Sequence, residues 1–389
     1  METTLEQGIL TAFVEGKIDH ANAGELADEL DRITAQPHDA LVLDARSLRY
    51  LSSAGLRVLL TLRRREPTLR IVNAAPEVYD IFEMTGFTEM MPIERAYREL
   101  SVDGCEVIGR GAKGTVYRYD AETIVKVYKK AESLPDAQRE RELAKRAFVL
   151  DIPTAISYEI VKVGDRYGSV FELLNATSYT SLILHHPEKL DAYAKELAAL
   201  LRKIHATGVR KTDMPDVKAY AGQWLSQAAP YLPAQDAEKL QTLVAQVPDR
   251  MTMLHGDYHT NNILCQNGEM ILIDMDTLCH GHPIFDLCNM YLAYVGHGAV
   301  DPTAVERFLG MPYALANTVW EKFLPAYLET TDEETIRSVG QKAELLAAVR
   351  LLRHTVRRMT AQTEEHTRVI ENCRARISRL LPGIDMLDF

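Results

Sequence analysis

Leu254-His255-Gly256-Asp257-Tyr258-His259-Thr260-Asn261-Asn262-Ile263-Leu264, followed by Met270-Ile271-Leu272-Ile273-Asp274, decides the reading of this chain. Asp257 and Asn262 stand five positions apart, and Asp274 closes an apolar run. A carboxylate at the first position can accept or orient the proton of a hydroxyl. An amide at the second can hold a metal ion, and a carboxylate at the end of a strand can share that ion with phosphate oxygens. This is the spacing of a phosphoryl-transfer loop. A competing reading takes His255, Asp257 and His259 as an HxDxH metal site, but it leaves the glycines and the lysine upstream without a role. Cys279, His280 and His282 are read as loop residues, since no fourth ligand stands at a suitable spacing.

Upstream, Gly109-Arg110-Gly111-Ala112-Lys113-Gly114-Thr115-Val116 fits GxGxxGxV. Dinucleotide folds and kinases both use such glycines to bring backbone close to phosphate, so the flanks must decide. A dinucleotide fold opens a helix after the third glycine, whereas Thr115 to Tyr119 continues as a β-type segment. The loop therefore lies between two strands, the kinase arrangement, with Gly109, Gly111, Gly114 and Val116 around the phosphates. Ten residues on, Ile124-Val125-Lys126-Val127 places one lysine in an apolar strand, where an ammonium needs an anionic partner. A helix predicted over Gln138 to Leu150 supplies one. Glu140 shares the apolar face of Leu143, Ala144, Ala147 and Phe148, while Glu142 shares the face of Lys145 and Arg146. Glu140 is the expected partner of Lys126, with Glu142 as the alternative.

Together these residues resemble an aminoglycoside phosphotransferase-type kinase, a small-molecule branch of the protein-kinase-like fold. HGDYHTNNIL matches that family's HGDxHxxN, IDMD its metal segment, and GHPIFDLCNM a further motif in which His282 stands where the family often has Asp. The resemblance covers nearly all of residues 101–389. It implies an α+β bilobal domain with a small lobe over 101–175 and a helical lobe over 176–389. It also implies ATP or GTP and Mg2+ as cofactors, Asp257 as catalytic base, Asn262 and Asp274 as magnesium ligands, and Asp286 as an anchor of the loop. Val170 to Leu174 reads as the strand joining the lobes, which would turn backbone groups of Glu172 and Leu174 toward adenine.

Residues 1–98 read differently, as short apolar strands alternating with amphipathic helices, an α/β pattern. Strands are predicted at Gly8 to Val14, Ala40 to Asp44, Leu69 to Val72 and Met90 to Ile93. Helices are predicted at Asn22 to Ile33, around Leu56 to Leu62, and from Pro76 toward Gly86. The stretch LVLDARSLRYLSSAGLRVLL resembles a STAS domain, the anti-sigma-factor antagonist fold. Asp44 matches that family's strand-ending Asp, Gly55 and Leu56 match the end of its turn, and Ser53 falls on its phosphorylated serine. Ser52 replaces the usual Asp and Ala54 the second hydroxyl residue. Physically, Ser52 or Ser53 can cap the helix that follows, and a phosphate there would meet the positive end of the helix dipole.

The 389 residues, 25% of them charged and 47% hydrophobic, describe a folded chain of more than one domain. A formal net charge of -11 argues against broad binding to nucleic acid or an acidic membrane. Five scattered cysteines without a CxxC pair fit reduced thiols, and no stretch is long and apolar enough to span a membrane. A cytoplasmic location is the expectation. Arg350, Arg353, His354 and Arg357 fall along one helical face, with Arg358 beside them. This is either a solvated face, a site for an anionic substrate, or a dock for the acidic N-terminal domain. The expected function is phosphoryl transfer to a hydroxyl of a small molecule, with the STAS domain regulating or binding a protein partner. The alternative is signalling, either by phosphorylation of a protein serine such as Ser53 or by partner switching as an anti-sigma-factor antagonist.

Overall fold

Strand Ile9–Ile18 buries Leu10, Ala12 and Val14 at alternate positions, the period of a sheet with one covered face. The computed structural model describes residues 1–111, 113–359, 361 and 363–389. In it this strand is the second of five, in spatial order Glu2–Glu6, Ile9–Ile18, Ala40–Leu51, Arg70–Ala74 and Ile93–Arg95. The first pair is antiparallel and the remaining three pairs are parallel. Helices Ala23–Thr34, Ser53–Arg65 and Pro76–Met84 make the crossovers that parallel neighbours require. Leu30, Leu62 and Phe82 from these helices join Leu10, Leu41 and Leu43 in one core. Met1–Gly104 and the hairpin tip Ile160–Gly168 form this unit, and Lys162 exchanges 2.9 Å backbone hydrogen bonds with Arg98 and Leu100.

Three elements differ from expectation. Glu2–Glu6 is a strand although nearly every side chain on it is exposed, so backbone pairing rather than apolar alternation makes it one. The third strand runs on from Asp44 to Leu51, through two register shifts against its neighbour, where only Leu48 and Leu51 return to the core after Ala45. The last strand is Ile93–Arg95, because Phe87–Met90 forms a helical turn instead.

The other unit comprises Cys105–Glu159 and Ser169–Phe389. The sheet that starts in it has the order Glu106–Arg110, Gly114–Arg118, Thr123–Tyr128, Arg166–Glu172, Glu159–Val163, the tip of the last hairpin, Ile160–Gly168, being counted with the first unit. Helix Leu134–Val149 follows the third strand and starts one turn earlier than predicted, with Pro135 in its first turn where a missing N–H does no harm. Beyond Thr177 the chain is mainly helical. Leu190–Ala206, Val217–Ala228, Ile284–Tyr291, Tyr313–Leu328 and Glu333–Arg358 bury Leu201, Ile204, Phe285, Phe323 and Leu352 in a shared core. Two short antiparallel pairs interrupt the helices, Met253–Leu254 with Cys279–His280 and Ile263–Gln266 with Glu269–Leu272. They hold the loops that carry Asp257, Asn262 and Asp274. Among the described residues no helix is long and apolar enough to cross a membrane.

Candidate active site

The loop from His255 to Asn262 is suspended from a buried carboxylate. Asp286, fully buried on helix Ile284–Tyr291, accepts the backbone N–H groups of His255 and Gly256 at 2.7 Å each and faces His205 Nε2 at 3.0 Å. Burial opposes the charge on Asp286, but His205 and these backbone donors outweigh it and hold the carboxyl below its usual range. His205 is oriented in turn by the Tyr327 hydroxyl at 2.7 Å. Gly256 has φ +79°, and a Cβ there would lie 2.3 Å from the Thr277 carbonyl oxygen, so the close crossing of these two loops requires glycine. Asn289 Nδ2 holds the Gly256 carbonyl at 2.7 Å, and Arg350, stacked 4.8 Å over the Trp224 ring, bonds to Asn289 Oδ1.

Asp257 emerges from this support. Asn262 donates from Nδ2 to the Asp257 carbonyl oxygen at 3.0 Å, which closes the loop on itself, and His259 Nε2 lies 3.6 Å from Asp257 Oδ2. Burial would raise the Asp257 carboxyl. Interaction with His259, and more distantly with Arg350 and His255, overcomes that and lowers it well below the carboxylate range.

Across the site, Lys126 Nζ donates to both Glu140 oxygens at 2.9 Å and to Asp274 Oδ1 at 2.8 Å. Glu142 instead pairs with Arg146. Burial would lower the lysine, and the charges of Glu140 and Asp274 reverse this and raise it well above its ordinary value. The Tyr128 hydroxyl donates to Glu140 Oε2 at 2.8 Å and fixes the carboxylate from behind. Asp274 has a left-handed backbone, φ 63°, which Asp and Asn tolerate better than other side chains with a Cβ. Oxygens of Glu140, Asp274 and Asp276 lie within 4.8 Å of one another. Burial first, and then Asp274, push the Asp276 carboxyl up to about 6 despite its bond to Lys113. Lys113 belongs to the glycine loop, whose Ala112 lies outside the described residues.

The glycine loop joins strands Glu106–Arg110 and Gly114–Arg118 as a hairpin, with Gly111 N–H on the Gly114 carbonyl at 2.9 Å. A Cβ on Gly114 would lie 2.6 Å from the Val127 carbonyl oxygen, whereas Gly109 and Gly111 would meet only ordinary contacts. Val116 sits opposite Lys126 in the strand register. Glu172 ends its strand and is exposed; Leu173, between it and Leu174, is tied by its N–H to the Glu122 carbonyl at 2.7 Å. In the first unit, Ser52 takes the capping role, its Oγ accepting Gly55 N–H at 3.4 Å. Ser53 is the exposed first residue of the helix. Asp44 is buried and satisfied by Arg46 and by Asn73 Nδ2 at 2.9 Å.

Sequence reasoning missed Tyr128, His205, Asp276, Asn289 and the bond of Arg350 to the loop support. Asp276 had a visible signal, as the second acid of IDMD. The others act across 12 to 122 residues of chain, and no local pattern marks them.

Three histidines, His282 buried and His297 and His354 half-buried, add a pH dependence. His282 and His297 are lowered to about 4 and His354 to about 3, in each case first by burial. Each is neutral in the folded protein but takes up a proton near pH 6.5 once unfolded, so stability is full above that value and is lost as pH falls toward 4. Thermal unfolding should show the midpoint falling between pH 7.5 and 5, with His282 alone, 1% exposed, contributing about 2 kcal/mol. A flat profile over that range would contradict the buried neutral state.

A glycine hairpin, a lysine paired to a helix carboxylate and an acid-bearing loop anchored from a buried helix define a phosphotransferase. The chain belongs to the phosphotransferase enzyme family, whose model matches residues 104–322, and it carries a STAS domain, matched over residues 1–100. Within the latter region it is 35% identical over 99 residues to BtrV of Bordetella bronchiseptica, named as an anti-sigma factor antagonist; the match covers 24% of this chain and 85% of that protein. Similar solved structures include aminoglycoside phosphotransferase APH(2'')-Ib with ADP bound, at 16% identity and TM-score 0.47, covering 73% of this chain and 94% of that one. A thermostable mutant of aminoglycoside phosphotransferase APH(4)-Ia with ADP and hygromycin B gives 12% identity and TM-score 0.49, covering 79% and 98%.

Proposed function

We propose that this protein transfers the γ-phosphoryl group of ATP or GTP to a hydroxyl of a small molecule, with magnesium. The observation that supports it most is the meeting of Lys126, Glu140 and Asp274 at 2.8–2.9 Å in the unit whose Asp257 and Asn262 share one loop. The donor set suits magnesium. Asn262 uses its Nδ2 on the Asp257 carbonyl and keeps Oδ1 available, and Asp274 and Asp276 are hard oxygen donors without nitrogen or sulfur among them. Magnesium held by Asn262 and Asp274 would neutralise charge on the phosphate oxygens.

The residues of the chain divide the work. Gly109, Gly111 and Gly114 let the hairpin backbone approach the phosphates, Val116 covers the base, and Lys126, held by Glu140, presents its ammonium to phosphate oxygens. Backbone groups of Glu172 and Leu174 receive the adenine edge. Asp257 orients the acceptor hydroxyl. As the acceptor oxygen bonds to the γ-phosphorus, the bridging bond to the leaving diphosphate breaks and the hydroxyl proton passes to Asp257 and then to solvent. A carboxylate held this acidic is a weak base, so its main contribution is orientation, with proton transfer late. The STAS domain supplies regulation or a protein contact, with Ser53 as its modifiable hydroxyl.

Calorimetry tests the nucleotide half directly. ATP or GTP should bind only with magnesium, and NAD should not bind comparably. Asp274→Asn, which keeps the left-handed backbone comfortable, should weaken the magnesium-dependent binding by at least about tenfold. Tight NAD binding without triphosphate binding would overturn the assignment.

A further inference from the structure

Helix Glu333–Arg358 ends in a guanidinium ridge that is in no ion pair among the described residues. Arg350, Arg353, Arg357 and Arg358 lie at spacings that place them along neighbouring positions of one helical side, with His354 among them. Arg350 bonds to Asn289 and stacks on Trp224, and Arg353 Nε bonds to Gln227 Oε1 at 2.9 Å; both polar partners are uncharged. Arg357 and Arg358 are exposed. Among the described residues none of the four is in an ion pair. Elsewhere in the helical lobe Arg202, Arg307 and Arg379 pair with Glu329, Asp301 and Glu344, while Arg337, Arg368, Arg374 and Arg376 are in no ion pair among the described residues. What sets these four apart is that they gather on one helix end, in a chain of net charge -11 with 55 acidic residues to draw on.

Their position supplies an explanation. The ridge begins at the support of the catalytic loop, since Arg350 holds Asn289 and Asn289 holds the carbonyl of Gly256, the residue before Asp257. A second route leads from Asp257 through His259, 3.6 Å away, to the Phe308 ring at 4.9 Å from the His259 ring, and on to His297, whose ring centroid is 6.2 Å from that of Phe308. His297 in turn feels the positive charges of Arg350 and Arg358, and His354 those of Arg350, Arg353 and Arg358. Arg353 and Arg357 follow Arg350 at about one and two turns of the same helix, so the ridge runs from the support of the Asp257 loop out to the exposed Arg357 and Arg358. Positive charge concentrated there repels a polycationic acceptor and attracts an anionic one.

We propose that the acceptor is a small hydroxy compound that also carries a phosphate or carboxylate group, and that Arg353, Arg357 and Arg358 receive this anion while Asp257 orients the hydroxyl. Guanidinium forks bind such oxyanions through paired hydrogen bonds, which fixes the orientation of the acceptor as well as its charge. Arg350 acts as a positioning residue through Asn289. The inference rests on the phosphotransferase reading, but its test is separable.

The test uses the full chain, saturated with magnesium and ADP so that the nucleotide site is filled, and measures binding of matched probes by calorimetry. Glycerol 3-phosphate is set against glycerol, glucose 6-phosphate against glucose, with inorganic phosphate alone as a further arm. The expected result is that the anionic members bind at least tenfold more tightly than the neutral ones. Arg353→Ala, and separately the exposed pair Arg357→Ala with Arg358→Ala, should each remove at least tenfold of that preference with ADP affinity unchanged. Equal binding of charged and neutral members, or a preference that survives both variants, would overturn the anionic subsite while leaving the phosphotransferase reading standing. Binding of a phosphoserine peptide with none of the small esters would overturn it as well. Failure of the wild-type protein to bind any magnesium nucleotide would count against the phosphotransferase reading, and the anion comparison, read as binding alone, would still decide the subsite.

Discussion

Asp257→Asn should reduce phosphoryl transfer by at least about 10³-fold while changing nucleotide affinity by less than about threefold. The substitution keeps the size of the side chain, and the loop's supports do not depend on the Asp257 carboxylate. Asp286 holds the neighbouring N–H groups, Asn289 the Gly256 carbonyl, and Asn262 the Asp257 carbonyl. What would be lost, on the proposed function, is the acceptor for the hydroxyl proton, together with the negative charge facing His259. The lysine cluster on the nucleotide side lies apart from these bonds, since Lys126 makes its contacts to Glu140 and Asp274. Steady-state transfer to an identified acceptor and calorimetric nucleotide binding give the two numbers. Turnover equal to wild type would remove Asp257 from the chemistry, and a parallel loss of nucleotide binding would show that the loop had lost its shape.

Asp286→Ala should be the most damaging single change to the fold of the second unit. Three donors would be left in a fully buried site, His255 N–H, Gly256 N–H and His205 Nε2. An orphaned buried donor costs about 1–3 kcal/mol, and breaking a buried charged network about 3–5 kcal/mol. The unfolding midpoint should therefore drop on the order of 10 °C. Asp286→Asn retains one acceptor oxygen but turns an amide N–H₂ toward one of the donors, so it should be intermediate in stability and still poorly active. A midpoint within a degree or two of wild type for the alanine variant would mean that the loop is held by other contacts.

Much of this arrangement was legible in the sequence because its parts are local. HGDYHTNNIL carries Asp257 and Asn262 on one loop, and the apolar strand around Lys126 and the apolar face of the following helix favour Glu140 by periodicity, with Glu142 left as the alternative that the structure pairs with Arg146 instead. The first domain was legible in the same way, since Leu10, Leu41, Leu30 and Leu62 repeat at strand and helix periods. What was not legible are contacts that depend on where distant segments cross. Nothing near Tyr128 announces that its hydroxyl reaches Glu140, and nothing near Arg350 announces Asn289, 61 residues away. Strand Glu2–Glu6 escaped notice because its side chains are mostly exposed and backbone pairing, which sequence pattern does not display, forms it. The basic helix face was visible as a pattern, but its meaning depended on learning which guanidiniums find carboxylates.

Lys126 and Lys113 have a further consequence when the site is regarded as an ion exchanger. Three carboxylates, Glu140, Asp274 and Asp276, face these two ammonium groups in the resting protein. The resin is already loaded with counter-ions, the side-chain ammonium groups of its own two lysines. On the proposed function, an arriving phosphate chain would displace Asp274 and Asp276 from the lysines while Glu140 keeps its hold on Lys126, and the freed carboxylate oxygens would become seats for the cation that arrives with it. Entry would then be a swap of partners with little change in total charge contact, one that neither the anion nor the cation alone would complete. A site of this kind would favour the paired electrolyte over either ion by itself.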